Sequence, residues 1–157
     1  MTSPIPVIGQ ILALVGFVLV LAALKVISNK ANNSKIFTNA IIGIVLVAIG
    51  LLAGIIIFIP SIVVLIYGNT TAMTGSLIGI ILGYVLTVTG FVIFRNALRL
   101  VANFTGVSLF NTAGIMFLIG SILIIIFIGT ILAFIGWILL AIAFFSIPDE
   151  YKTAENT

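Results

Sequence analysis

Residues 113–147 read AGIMFLIGSILIIIFIGTILAFIGWILLAIAFFSI, thirty-five positions without a formal charge, followed by Pro148 and an acidic tail. A continuous helix of that length would reach about 52 Å at 1.5 Å per residue. The hydrocarbon core of a bilayer is about 30 Å thick and takes about 20 residues. The run is too long for one comfortable crossing and long enough for two short ones. A chain of this size cannot hide so much apolar surface from water, so lipid is its solvent, and a helix satisfies every backbone group there internally.

The rest of the chain repeats that pattern. Sixty-three per cent of the 157 residues are hydrophobic and 6% are charged, against about 25% charged in a soluble domain. The expected fold is an all-α, polytopic transmembrane helix bundle of about five spans, with four as the alternative. Residues 1–157 form a single integral membrane domain. With neither cysteine nor histidine, the composition leaves no disulfide, thiolate, zinc site or ordinary proton switch. Six scattered basic residues make no nucleic-acid face, so no nucleic-acid partner is expected despite a pI near 9.6.

Charge placement orients the bundle. Lys25, Lys30, Lys35, Arg95 and Arg99 fall in or beside two loops, 28–39 and 95–112, whereas Asp149, Glu150 and Glu155 lie in the tail with Lys152. The positive-inside rule makes both loops cytoplasmic and the five cations topology anchors in a multi-pass cell-membrane protein. Lys25 and Arg99 are expected to snorkel to lipid headgroups. A secretory signal peptide is not expected, because the only early positive charge is the α-amine.

In order, the first span is expected at about 7–27 and the second at 40–59. Pro60 should kink or end that second helix, with 61–67 a kinked extension or interfacial. An uncharged turn follows at 68–76. The next span, 77–94, should carry Arg95 and Arg99 into the headgroups before stopping at Gly106. The best break in the long final run is Gly129-Thr130, and 148–157 is a polar tail.

Two segments match at an offset of 74 residues. GQILALVGFVLVLAALKVISNKANNS from Gly9 and GYVLTVTGFVIFRNALRLVANFTGVS from Gly83 share nine of twenty-six positions. The matches include Gly16-Phe17-Val18 with Gly90-Phe91-Val92, and Asn29 with Asn103. A one-residue gap then brings Phe37 onto Phe110 and Ala40 onto Ala113. This predicts an internal parallel duplication, half one at about 7–67 and half two at about 77–147, related by an axis along the membrane normal.

Glycines recur seven apart and so nearly on one helix face: Gly9 and Gly16, Gly43 and Gly50, Gly83 and Gly90, Gly129 and Gly136. Gly50-x3-Gly54 and Gly79-x3-Gly83 add a closer spacing. Small residues let membrane helices approach to backbone contact, so these glycines are expected to pack helices together, or to form a dimer face or substrate groove. Gln10, Tyr84, Thr87 and Thr89 are expected to hydrogen-bond between helices. No Asp, Glu, Lys, Arg or His lies mid-span, as an ion or proton path would normally require. Nothing resembles a catalytic dyad, P-loop, metal site or dinucleotide fingerprint, so no enzyme activity and no cofactor are expected. N-x-[ST] patterns occur at Asn32, Asn69 and Asn103; only Asn69 falls on the predicted outer face.

GQILALVGFVLVLAALKVIS followed by SKIFTNAIIG, then TGVSLFNTAGIMFLIGSILIIIF, and finally FIGWILLAIAFFSIP before a charged tail, together resemble the archaeal multi-span membrane proteins catalogued as domain of unknown function nine-nine-six. The resemblance covers nearly the whole chain. It implies an archaeal cell membrane and brings no activity or functional residues with it. The expected role is a noncatalytic scaffold or accessory membrane subunit, in contact with lipid and with itself as a homo-oligomer or with a larger membrane complex. The alternative is a small transporter or channel for a neutral or lipid-like solute, using the cleft between the two halves.

Overall fold

The computed structural model of the chain describes residues 5–67, 70–126 and 128–148. Five α-helices follow one another: α1 (Ile5–Lys30), α2 (Ser34–Tyr67), α3 (Thr70–Thr105), α4 (Leu109–Ile122) and α5 (Ile128–Phe145), with a 3₁₀ turn at Leu123–Ile126. Ser34–Ile57, Thr74–Thr105 and Ile128–Phe145 are each long and apolar enough to cross a membrane, and Leu109–Ile122 is a shorter apolar helix. The protein is an all-α membrane bundle. Large apolar side chains such as Val18, Leu19, Ile56 and Ile81 point outward, as they must where the solvent is lipid.

Helices run further than the apolar runs that define the expected spans. α1 continues through Lys30 and α2 begins at Ser34, so the expected loop 28–39 shrinks to a turn at 31–33. Polar residues do not end a helix outside the hydrocarbon; turn chemistry does. The turn ends α1 in a Schellman arrangement. Asn32 is left-handed at φ 45°, its amide reaches the Asn29 carbonyl at 3.1 Å, and the Asn33 amide reaches that of Ser28 at 3.0 Å. Asn33 then starts α2, its Oδ1 accepting from the Lys35 amide at 3.1 Å in the manner of an N-cap. The buried Ser28 hydroxyl holds the turn from beneath by donating to the Asn33 carbonyl.

The second basic segment behaves likewise. Residues 95–105 belong to α3, and the chain turns only at 106–108. Gly106, the expected stop, is left-handed at φ 71°, and its amide donates to the Ala102 carbonyl at 2.9 Å. Pro60 does not end α2, which runs on to Tyr67. Proline's missing hydrogen bond is tolerated in membrane helices where nearby groups re-satisfy the backbone. Beside it the Ser61 hydroxyl donates to the Ile57 carbonyl, next to the Ile56 carbonyl that the proline leaves without its amide. The expected turn 68–76 is helical from Thr70 onward; Gly68, Asn69 with its glycosylation pattern, and the tail from Asp149 lie outside the described residues.

The final run turns earlier than Gly129-Thr130. The break is Leu123–Ile126, and α5 has resumed by Ile128. Gly129 serves close packing instead. A Cβ there would collide with the Gly120 carbonyl and the backbone of Ile124.

The helices meet as consecutive hairpins, with α2 against α3 the most extensive pair, then α4 against α5 and α3 against α4. The closely packed core gathers at the end carrying the 31–33 and 106–108 turns. Leu24, Ile36, Ala40, Ala97, Leu98, Val101, Phe110, Ala113 and Ala143 are fully buried there. Phe117 lies beneath Gly136 and is ringed by Phe91, Phe94 and Trp137, with centroids 5.3 to 6.0 Å apart. Trp137 also meets Phe17 at 6.2 Å, so this aromatic knot ties α1, α3, α4 and α5.

Candidate functional site

Four glycines bring α2 and α3 into backbone contact. A Cβ on Gly43 would fall 2.7 Å from the Gly90 carbonyl oxygen, and one on Gly90 would fall 2.6 Å from that of Gly43. One turn pair further along, a Cβ on Gly50 would meet the Gly83 carbonyl at 2.7 Å and also the Thr87 hydroxyl. One on Gly83 would meet the Gly50 carbonyl at 3.0 Å. The seven-residue spacing on each helix produces this register, because two turns return a residue to nearly the same face. Gly79 continues the seam against the Ile57 side chain.

The remaining glycines divide. Gly120 and Gly129 face each other across the α4–α5 hairpin, and Gly136 accommodates the Phe117 ring at 3.0 Å. Gly16 and Gly54 have nothing within 4 Å of where a Cβ would stand, although Gly54 offers its own backbone to Gly83. Gly9 lies in α1, where it lines up with Gly16 two turns away.

Among Tyr84, Thr87 and Thr89, the tyrosine bridges helices. The Tyr84 hydroxyl donates to the Ile122 carbonyl at 2.9 Å, at the end of α4 where helical partners run out. The Thr87 and Thr89 hydroxyls donate instead to carbonyls four residues back in α3, Gly83 and Val85. Gln10 belongs to α1, with its side chain outside the described residues. The expectation of interhelical bonding fails for the two threonines because the nearest acceptor lies on their own helix.

The five cations share one end of the bundle without forming one patch. Lys25, Lys30, Lys35 and Arg99 are exposed, whereas Arg95 is half-buried, its stem packed 3.1 Å from where a Cβ on Gly114 would lie. Its Nε and the Asn111 Oδ1, one turn before Gly114, are buried without hydrogen-bond partners. Two open notches flank the start of α2. One, about 420 Å³, is lined by Lys25 and Asn29 of α1 with Phe37 and Thr38 of α2. The other, about 450 Å³, is lined by Asn39 of α2 with Asn96, Arg99, Leu100 and Asn103 of α3. Among the described residues no group of three His, Cys, Asp or Glu could hold a metal.

The aligned segments supplied two signals that only the structure joins. Lys25 with Asn29, and Arg99 with Asn103, stand at the same 74-residue offset and line the two notches. Sequence reasoning singled out the cations and missed the amides as their companions, although the Asn29–Asn103 match marked them.

Comparison with known proteins places these features in a wider group. The family described as Protein of unknown function (DUF996) matches residues 12–152. The chain is also 37% identical over 151 residues to the uncharacterized protein MJ1644 of Methanocaldococcus jannaschii, covering 93% of this chain and 85% of that one. No solved structure matches.

Proposed function

The chain belongs to the family described as Protein of unknown function (DUF996), and on that footing we propose that it acts as a noncatalytic membrane scaffold or accessory subunit. The observation that carries this reading is the α2–α3 seam. A transporter built from two pseudo-equivalent halves would move its solute along the boundary between them. Here α2 closes one half, α3 opens the other, and Gly43, Gly50, Gly83 and Gly90 press their backbones together. Carbonyl-to-backbone packing of that kind leaves no room for a neutral or lipid-like solute. The Thr87 hydroxyl beside the seam is already engaged with Gly83.

In this reading the end bearing Lys25, Lys30, Lys35, Arg95 and Arg99 faces the cytoplasm. The two halves descend from a duplication. The paired left-handed residues Asn32 and Gly106, and the paired buried residues Leu24 and Leu98, support it, each pair 74 apart. Lipid contacts the outward apolar side chains, and a second copy or a larger membrane complex binds the bundle. Intact-mass measurement of the full chain extracted in mild detergent from its own membrane tests the reading. A stoichiometric assembly is expected; a lone chain that carries solute across a liposome wall overturns it.

A further inference from the structure

We propose that the two notches beside the start of α2 are a pair of binding sites for the phosphate group of membrane-lipid headgroups. The inference goes beyond the scaffold reading and rests only on the bundle's lying in a bilayer. Each notch joins one exposed cation to carboxamides: Lys25 with Asn29, and Arg99 with Asn103, Asn96 and Asn39. In each helix the cation and the asparagine are four residues apart, which stacks them on one face. A cation supplies charge-assisted hydrogen bonds to a phosphate oxygen, and a carboxamide NH₂ adds a neutral donor beside it.

Two features separate these notches from ordinary snorkelling cations. The same pair of residue types recurs at the 74-residue offset, and in each notch the cation has an exposed asparagine one turn away on its own helix. The floor of the first is also partly apolar. Lys25 Nζ stands 5.9 Å from the centre of the Phe37 ring, which holds the ammonium over the notch. Lys35, exposed and outside both notches, is the internal control.

The full chain in neutral detergent is titrated with phosphatidylglycerol, with diacylglycerol carrying the same tails, and with inorganic phosphate as competitor, counting bound lipid by native mass spectrometry. Two phosphatidylglycerols are expected and no diacylglycerol. Asn29→Leu and Asn103→Leu keep the net charge, lie on the exposed surface and should each remove one lipid, while Lys35→Gln removes none. Competition by inorganic phosphate identifies the phosphate alone as the ligand; its failure assigns the whole headgroup. Retention of both lipids in the asparagine variants, equal binding of diacylglycerol, or an equal loss in Lys35→Gln overturns the proposal.

A separate observation carries a second inference: we infer that the α4–α5 hairpin turns inside the hydrocarbon rather than at its far face. On α3, Arg95 and the exposed Asn96 close the uncharged run that begins after Ser76 and so mark one membrane boundary. From Arg95 to Tyr84 is eleven residues of α3, about 16 Å, and α3 continues about 21 Å beyond Tyr84 to Thr70. The hydrogen bond from Tyr84 to Ile122 therefore puts the end of α4 near the middle of a core about 30 Å thick. The turn itself, Leu123–Ile126, reads Leu-Ile-Ile-Ile and has no polar side chain to meet water. α5 is long enough to cross, and register rather than length decides that it does not. The Tyr84 hydroxyl takes up the Ile122 carbonyl there, so that helix-end acceptor is not left open to lipid.

A fluorophore on Ile124→Cys, in vesicles of lipids brominated either near the headgroup or at the acyl-chain ends, reads this depth. Stronger quenching by the chain-end bromines is expected. Stronger quenching by the headgroup-proximal bromines means a full crossing and overturns the inference.

Discussion

Asn32 and Gly106 stand 74 positions apart and share a left-handed backbone, at φ 45° and 71°, each ending the helix before it. The first closes a Schellman motif and the second the simpler αL cap. A Cβ costs about 1–2 kcal/mol in this conformation, and asparagine bears it better than most residues. Gly106→Ala should therefore lower stability by about 1 kcal/mol, and Asn32→Gly should leave it nearly unchanged. Thermal unfolding in detergent measures both.

Gly16 and Gly90 are related by the same offset and sit in opposite surroundings. A Cβ on Gly90 would fall 2.6 Å from the Gly43 carbonyl and 2.7 Å from the Val47 amide, while one on Gly16 meets nothing within 4 Å. Gly90→Ala should cost about 1–3 kcal/mol by overpacking. Gly16→Ala should stay within about 0.5 kcal/mol of the parent. Paired melting curves decide it, and equal losses would mean that α1 packs on something as tightly as α3 does.

Tyr84→Phe removes the donor to the Ile122 carbonyl and nothing else. Interhelical hydrogen bonds in membranes average about 0.6 kcal/mol, and the loss should be of that order. Protection of the Ile126 and Ile128 amides, read by hydrogen exchange in detergent, should fall before that of α2.

Ser34 and Ser108 begin the helices that follow the two turns at the basic end, and both are exposed. Single cysteines there, in a chain that otherwise has none, should label from the same side of sealed vesicles. Thr74→Cys, exposed near the opposite end of α3, should label from the other side.

Apolar runs and the clustering of cations made the helical membrane bundle legible in sequence, because both follow directly from the solvent. Helix ends were less legible. Lys30, Ser34 and Arg95–Thr105 are helical since capping residues, not polarity, terminate helices. Gly129 suggests a break in sequence, yet its lack of a side chain lets Gly120 approach across the hairpin. Ile36 and Phe110, 74 apart, are both buried, and Ala40 is buried as are both Ala113 and Gly114, so burial suits the ungapped and the gapped match alike. The notches stayed hidden because amides and cations four apart on two helices acquire a common floor only when α2 stands between them.

The closed seam between α2 and α3 is the centre of the functional account, and solute flux tests it most directly. Purified chain in liposomes loaded with small neutral solutes, glycerol and urea among them, should leak no faster than protein-free liposomes, and a Gly83→Leu variant should leak no less than the parent. Reproducible flux through the parent, abolished in Gly83→Leu protein that keeps its helical circular dichroism and monodisperse elution, would contradict the account.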